Sequence, residues 1–258
     1  MKKDETSEYI CRRAQQAAET LAEETDALTF GGRTAFIYNP LKYAWGPHAE
    51  YIRRYGNGRK RVIFVGMNPG PWGMAQTGVP FGEINMVRSW LNIGGVVDPP
   101  ADQHPKKPIR GFDCSRSEVS GRRLWGLMRD RFHRAENFFS SHFVVNYCPL
   151  IFLEDSGRNL TPDKLSASER DTLFACCDRH LIALTDIYQP EYVIGVGKFA
   201  ERRAEKVLSD RPDPPKVDSI LHPSPASPMA NRGWAEQASL KLESIGVWNM
   251  LPGSEIRH

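Results

Sequence analysis

The sequence contains few cysteines, and none of them is spaced for a metal ion. Its five cysteines are Cys11, Cys114, Cys148, Cys176 and Cys177, and no two of them form a CxxC pair. The adjacent pair is poorly placed to supply two ligands to one metal. An odd number of cysteines also indicates free thiols rather than a disulfide framework. The cysteine pattern therefore predicts no metal centre.

Long apolar runs are also missing. A helix needs about 20 apolar residues to cross a membrane, and the longest apolar runs here are far shorter. The first ten residues, MKKDETSEYI, do not contain the apolar core of a signal peptide. We therefore expect no membrane association and a protein that stays in the cytoplasm.

A strong excess of one charge is absent as well. The net charge is +3, which permits nucleic-acid binding without requiring it. Basic residues cluster at 53–54 with 59–61, at 106–107 with 110, and at 122–123, but each cluster also suits an ordinary solvated surface. With 258 residues, of which 40% are hydrophobic and 25% charged, the chain fits one globular domain, residues 1–258.

Short apolar runs alternate with amphipathic segments along the chain. The pattern predicts strands at 61–65, 142–146, 192–196 and 217–221, and helices at 4–28, 47–55, 83–93, 120–132, 165–187, 199–208 and 231–244. Residues 96–115 are rich in proline and predict a long surface loop. Strands that alternate with helices are typical of parallel crossover units, so we predict an α/β fold.

Residues 62–83 have the pattern of a ligand-binding strand end. The apolar run 62–65 predicts a buried strand, and GMNPGP at 66–71 then forces the chain to turn. Open parallel sheets bind ligands just beyond the carboxyl ends of their strands, which is where Asn68 lies. On these residues alone, a tight Asn-Pro-Gly turn without a function explains the segment equally well.

Several ordered motifs resemble one enzyme family. GMNPGP at 66–71 followed by GMAQTGVPFGE at 73–83 resembles the first motif of the single-strand-selective monofunctional uracil-DNA glycosylases, and HPSP at 222–225 with ANRGW at 230–234 resembles the second. SEVSG at 117–121, NYCPL at 146–150 and SGRNLTP at 156–162 are also similar to the family, in its order. The resemblance runs from residue 37 to residue 234. It implies a three-layer α/β/α uracil-DNA glycosylase fold with a central four-stranded parallel sheet.

The resemblance implies a reaction that breaks the bond between a base and deoxyribose without a cofactor. The base leaves as an anion and the sugar becomes an oxocarbenium-like cation. Asn68 would orient the attacking water through its amide oxygen, since an amide is not a strong base. His222 would donate a hydrogen bond to the carbonyl oxygen of the departing base, although HPSP by itself would suit an ordinary turn. Neither catalytic position holds a lysine, so strand cutting through a Schiff base is not expected.

The base pocket follows from the same resemblance. Phe81 would stack on the flipped base, and the main chain at Met67 would add a contact to it. Asn146 would read the base edge, with its N–H₂ group toward O4 and its C=O group toward N3–H. The segment from Gly70 to Met74 would lie beside C5 and leave room for a small polar substituent. The resemblance thus implies uracil and oxidised thymines such as 5-hydroxymethyluracil as substrates, with thymine excluded.

GVGKFA at 195–200 has the G-x-G-x-x-A form of a dinucleotide-binding turn. It comes too late in the chain for a dinucleotide-binding domain. A helix N-terminus at Gly197 that offers backbone N–H groups to a DNA phosphate, with Lys198 close by, suits it better. A plain strand-to-helix turn explains the motif equally well.

A second DNA contact is implied by the segment that follows His222. Pro223, Ser224 and Pro225 begin a wedge that would fill the hole left by the extruded base. Vertebrate members of the family carry an arginine where this sequence has Ala226, and alanine cannot span the hole. Met229 is the candidate to replace that arginine.

We therefore predict a monofunctional DNA glycosylase that removes uracil and 5-substituted uracils from single- and double-stranded DNA and so initiates base excision repair. Two alternatives remain at this point: a preference for deaminated purines such as xanthine, and a damage-binding protein with weak catalysis. We expect a monomer bound to DNA, in the nucleoid of a bacterium or the nucleus of a eukaryote.

Overall fold

The structure, a computed structural model, describes residues 3–249, with side chains from residue 6 onward. Its larger sheet contains β2 (Val62–Gly66), β3 (His142–Asn146), β6 (Tyr192–Val196) and β7 (Lys216–Ile220) in the order β3-β2-β6-β7. All three strand pairs are parallel. Every residue of β2 and β3 is buried, as expected for parallel strands covered on both faces.

Helices surround this sheet. They are α1 (Lys3–Asp26), α2 (Pro40–Tyr43), α3 (Trp45–Tyr55), α4 (Met74–Thr77), α5 (Ile84–Ser89), α6 (Val119–Phe132), α7 (Ala135–Phe139), α8 (Ala167–Tyr188), α9 (Lys198–Leu208) and α10 (Trp234–Ser244). Short 3-10 turns lie at Gly111–Asp113 and Pro162–Lys164. Within residues 3–249 no helix is long and apolar enough to span a membrane.

Aromatic packing shows that helices cover both faces of the sheet. Phe143 in β3 stacks on Tyr51 of α3, with ring centroids 5.0 Å apart, and it also contacts Tyr188 of α8. Its neighbour His142 instead stacks on Phe138 of α7, at 4.9 Å. Adjacent side chains of a strand point to opposite faces. The predicted α/β/α architecture with four parallel strands is confirmed.

A second, smaller sheet was not predicted. It joins β1 (Phe36–Tyr38), β4 (Ile151–Leu153) and β5 (Asn159–Leu160) in antiparallel order β1-β4-β5. Two- and three-residue strands are too short to show a period-2 pattern, so the sequence carried no usable signal. The sheet matters for the site because β4 follows directly on the loop that leaves Asn146.

Two predicted helices differ from the structure by three residues or more at one end. The helix predicted at 83–93 ends at Ser89, and a left-handed φ of 50° at Asn92 prevents it from resuming before residue 93. The helix predicted from residue 231 begins at Trp234, because Gly233 has a φ of 79° and ends an irregular loop. This loop, residues 223–233, carries the predicted wedge, and we call it the 223–233 loop.

Candidate active site

The carboxyl ends of β2 and β3 lie side by side and open onto a cavity. Gly66 pairs with Asn146 in the sheet, and the amide of Cys148 donates to the carbonyl of Met67 at 2.9 Å. The cavity has a volume of about 380 Å³. The predicted site residues on its wall are Met67, Asn68, Gly70, Phe81, Asn146, Gly197, Lys198, His222 and Ser224. The sheet therefore brings together residues that are up to about 150 positions apart in the sequence.

Asn68 is held by the main chain of the loop after β3. Its Nδ2 atom donates a hydrogen bond to the carbonyl oxygen of Leu150, at 3.1 Å. This bond fixes the amide plane and leaves Oδ1 as the acceptor on the cavity side. Such an oxygen can accept a hydrogen bond from a water molecule but cannot take its proton.

His222 is fixed in one tautomer. The backbone amide of Ser224 donates to its Nδ1 atom at 3.1 Å, so Nδ1 is an acceptor and the proton of the neutral ring is on Nε2. Burial lowers the pKa of His222 below its usual value, because the charged ring loses solvation. The imidazole is therefore neutral at pH 7 and presents a single N–H donor at Nε2.

Phe81 forms one wall of the cavity in an unusual backbone conformation. Its φ is 52°, which bulky residues rarely adopt. Neighbouring contacts hold the strained turn: the Trp125 indole N–H donates to the carbonyl of Pro80 at 3.2 Å, and the amide of Glu83 donates to the carbonyl of Phe81 at 2.7 Å. The Phe81 ring lies 6.3 Å from the His222 ring, centroid to centroid. Strain of this kind is typical of a side chain that must be aimed at a ligand.

Asn146 presents an amide oxygen without a partner. Its Nδ2 atom donates to the sulfur of Met74 at 3.2 Å, whereas its buried Oδ1 atom has no hydrogen-bond partner within the described residues. Met74 itself is not on the cavity wall but lies behind Asn146. A buried, unpaired acceptor is unfavourable unless a ligand supplies a donor. The N3–H group of a uracil is such a donor.

The predicted phosphate contact lies at the start of α9. The amide of Gly197 already donates to the carbonyl of Ile220 at 2.9 Å, so it is not free for a ligand. The amides that follow, of Lys198 and Phe199, open the helix, where N–H groups lack intrahelical partners. The Lys198 ammonium is 2.7 Å from a carboxylate oxygen of Glu201, although 71% of the lysine side chain is exposed. A phosphate contact by Lys198 therefore stays a prediction, and it would compete with this ion pair.

The 223–233 loop is tied to α6 by Arg123. This arginine donates to the carbonyl of Pro223 at 3.0 Å and to the Asn231 side chain at 2.7 Å. Ala226 and Met229 lie on the outer side of the loop, and 61% of Met229 is exposed. Pro223, Pro225, Ala226 and Met229 are not on the cavity wall, so their role as a wedge stays a prediction.

Comparison with known proteins places the chain in a family. The family model of the Uracil DNA glycosylase superfamily matches residues 53–245. The chain belongs to this superfamily. Curated relatives carry the description single-strand selective monofunctional uracil-DNA glycosylase: the protein of Rattus norvegicus is 48% identical over 90% of this chain and 83% of its own length, and that of Bos taurus 46% over 90% and 85%. These values place the chain within that branch of the superfamily.

A solved structure supports the fold independently. The crystal structure of wild-type SMUG2 from Pedobacter heparinus matches with a TM-score of 0.65 and 16% identity, covering 90% of this chain and 97% of that one. At this identity the likeness concerns the uracil-DNA glycosylase fold alone.

Three features of this uracil-DNA glycosylase site were missed in the sequence. They are the Leu150 carbonyl that orients Asn68, the Met74 sulfur behind Asn146, and the Arg123 contacts to the 223–233 loop. Arg123 lies 100 residues from Pro223, so no local pattern could have joined them. All five cysteines are buried free thiols, and the described residues contain no cluster of three or more potential metal ligands.

Proposed function

We propose that this protein is a monofunctional DNA glycosylase that hydrolyses the N-glycosidic bond of uracil in DNA. The observation that carries the proposal is the unpaired Oδ1 atom of Asn146, buried on the wall of a cavity that also contains Asn68, Phe81 and His222. An amide oxygen there accepts from N3–H of uracil, while the same position of cytosine is itself an acceptor. The superfamily to which the chain belongs and the descriptions of its relatives support the same activity.

The chemistry follows from two neutral side chains. Asn68 Oδ1 holds a water molecule for addition to the sugar cation after the C–N bond has largely broken. The Nε2–H group of His222 donates to the base oxygen on which negative charge accumulates. A preorganised donor of this kind contributes about 3–4 kcal/mol to transition-state stabilisation. The strand stays intact because neither Asn68 nor His222 can form a Schiff base.

We further propose that the substrates include 5-hydroxymethyluracil and similar oxidised pyrimidines, in single-stranded and, less efficiently, in duplex DNA. The weaker action on duplexes follows from Ala226, which is too short to replace an extruded base. We expect the protein to act as a monomer. Its DNA substrate would place it in a bacterial nucleoid or a eukaryotic nucleus.

One assay tests the activity. Single-stranded oligonucleotides carrying uracil, 5-hydroxymethyluracil, xanthine or cytosine at one position are incubated with the protein and analysed with and without hot alkali. We expect breaks at uracil and 5-hydroxymethyluracil only after alkali. Breaks without alkali would contradict the monofunctional mechanism, faster release of xanthine would favour a purine-directed enzyme, and binding without release would indicate a damage-binding protein.

A substitution of Met229 tests how duplex substrates are opened. It is the exposed apolar side chain of the 223–233 loop, so Met229→Ala removes the candidate wedge. We expect excision from duplex DNA to fall by about 5- to 10-fold relative to single strands, since unstacking is worth a few kcal/mol and a single strand leaves no hole to fill. An unchanged ratio of duplex to single-strand rates would remove Met229 from the wedge.

A further inference from the structure

Glu118 is an acid on the cavity wall that the proposed mechanism does not use. It occupies the N-cap position of α6, but its side chain does not cap the helix. The carboxyl group instead reaches the cavity that contains Asn68, Phe81 and Asn146. Glu83, by contrast, caps α5 by accepting from the amide of Met86 at 3.0 Å. The side chain of Glu118 is therefore directed away from its ordinary helix partner.

Glycines make the space for this carboxyl group. A Cβ atom on Gly70 would overlap Oε1 of Glu118, and one on Gly73 would overlap Oε2. A Cβ atom on Gly121 would lie 3.0 Å from Oε2. Any side chain at residue 70 or 73 would need the volume that the carboxyl group fills. Glu118 thus forms the cavity wall beside Gly70 and Gly73 of the loop after β2, which have no side chains of their own.

The carboxyl group of Glu118 lacks a partner in the protein. Within residues 3–249 no hydrogen bond or ion pair involves either of its oxygens. Burial, and secondarily the negative charge of Glu83, raise the pKa of Glu118 to about 7. The other titratable groups at the cavity are His222, which is neutral, and Lys198, which is paired with Glu201. Glu118 therefore exists as both acid and carboxylate near neutral pH.

The orientation of a bound uracil sets which of its atoms faces Glu118. Asn146 pairs with the N3 and O4 edge, and His222 donates to O2. In the pyrimidine ring C5 lies next to C4, on the side away from O2. C5 then faces a part of the wall other than those of Asn146 and His222, and Gly70 with Glu118 forms such a part, which we assign to C5.

We propose that Glu118 determines specificity by forming a hydrogen bond with a polar substituent on C5 of the flipped base. This inference rests on the proposed glycosylase function. A hydroxymethyl group both donates and accepts, so it pairs with the acid and with the carboxylate. A formyl group only accepts, so it pairs with the acid alone. A methyl group pairs with neither and would displace water from the carboxyl group without replacing its hydrogen bonds, which disfavours thymine.

The hydroxymethyl and formyl groups differ in the form of Glu118 with which they can pair, so the pH dependence of their excision tests the proposal. Single-turnover excision of uracil, 5-hydroxymethyluracil and 5-formyluracil from single strands is measured from about pH 6 to about pH 8.5, on both sides of the Glu118 pKa. For the wild-type protein the 5-formyl to 5-hydroxymethyl rate ratio should fall by about tenfold as Glu118 ionises and the donor is lost.

Two variants separate specificity from structure. In Glu118→Gln the amide N–H₂ group donates at every pH. The 5-formyl to 5-hydroxymethyl rate ratio should then decline with pH only as far as the substrates themselves cause it to. In Glu118→Ala both modified bases should lose about tenfold relative to uracil, because their substituents lose a buried partner.

Three results would overturn the inference: the same pH dependence of the ratio in Glu118→Gln, an equal loss on all three substrates in Glu118→Ala, or a wild-type ratio that is independent of pH. Failure of the proposed function looks different, because the wild-type protein would then release no uracil at any pH.

Discussion

Two glycines of α6 provide a matched test of how Phe81 is positioned. A Cβ atom on Gly121 would overlap the carbonyl oxygen of Phe81 and lie 2.9 Å from its carbonyl carbon. A Cβ atom on Gly126, one and a half turns further along, would meet no atom within 4 Å. The same substitution in one helix should therefore have opposite consequences at the two positions.

The expected effect of Gly121→Ala on activity and stability follows from this contact. The two nearest atoms that the new methyl group meets are main-chain atoms of Phe81, which cannot rotate away, so the Phe81 turn has to move by about 1 Å. Misplacement by this distance reduces catalysis by about 100-fold, and loss of base stacking alone is worth about 1–3 kcal/mol. We expect kcat/KM on uracil to fall by about 10- to 100-fold. Overpacking should also lower the free energy of unfolding by about 1–3 kcal/mol.

Gly126→Ala should leave activity at the wild-type level and raise the free energy of unfolding by about 0.5–1 kcal/mol, because alanine favours the helix. Single-turnover excision from a uracil oligonucleotide and denaturant unfolding of the same preparations measure both effects. If Gly121→Ala excises uracil at the wild-type rate, or Gly126→Ala loses as much activity, the contact with Phe81 is not what positions the ring.

Three further predictions concern the reacting groups and the core. Asn68→Ala and His222→Ala should each lower the single-turnover rate by about 100-fold with nearly unchanged DNA affinity, and equal losses in both quantities would assign them a structural role. Asn146→Asp should lose most uracil release and gain weak release of cytosine from single strands, and near-wild-type uracil release would remove Asn146 from the base edge. Burial lowers the pKa values of His48 and His142 to about 4, below the value of about 6.5 in an unfolded chain, so the unfolded state binds more protons in acid. The contribution of these two histidines to the free energy of unfolding should be constant above about pH 7 and fall between about pH 6.5 and about pH 4, by roughly 1–2 kcal/mol per histidine at pH 5. Denaturant titrations at these pH values measure it, and His48→Asn, which keeps a donor for the carbonyl of Gly78, should reduce the slope.

The sequence predicts the main sheet well because its strands are continuous apolar runs. The four predicted strands agree with β2, β3, β6 and β7 to within one residue at each end. The segments that were missed, such as β4, β5 and α4, are two to four residues long and show no periodicity. Their positions depend on contacts with distant segments, such as the pairing of β4 with β1.

The candidate site could likewise be predicted from the sequence only in part. Asn68 and Asn146 could be found from the sequence because both come at strand ends, and a parallel sheet brings such ends together. What orients them could not be found. Asn68 depends on the carbonyl of Leu150, 82 residues away, and Asn146 on the sulfur of Met74, 72 residues away. A carbonyl oxygen carries no sequence signature, since every residue has one.

The two side chains that the proposed mechanism assigns to the reaction, Asn68 and His222, are neutral, and this limits how they could assist it. Asn68 cannot take a proton, and His222 is neutral with its Nδ1 atom committed to the amide of Ser224. In the proposed mechanism the rate enhancement then comes from orientation, with one fixed acceptor for the water and one fixed donor for the departing base. Such a site suits a base that is already a stable anion when it leaves, because neither Asn68 nor the neutral His222 is an acid strong enough to protonate it. Uracil meets this condition, since the negative charge left on N1 by the broken bond spreads over its two carbonyl oxygens.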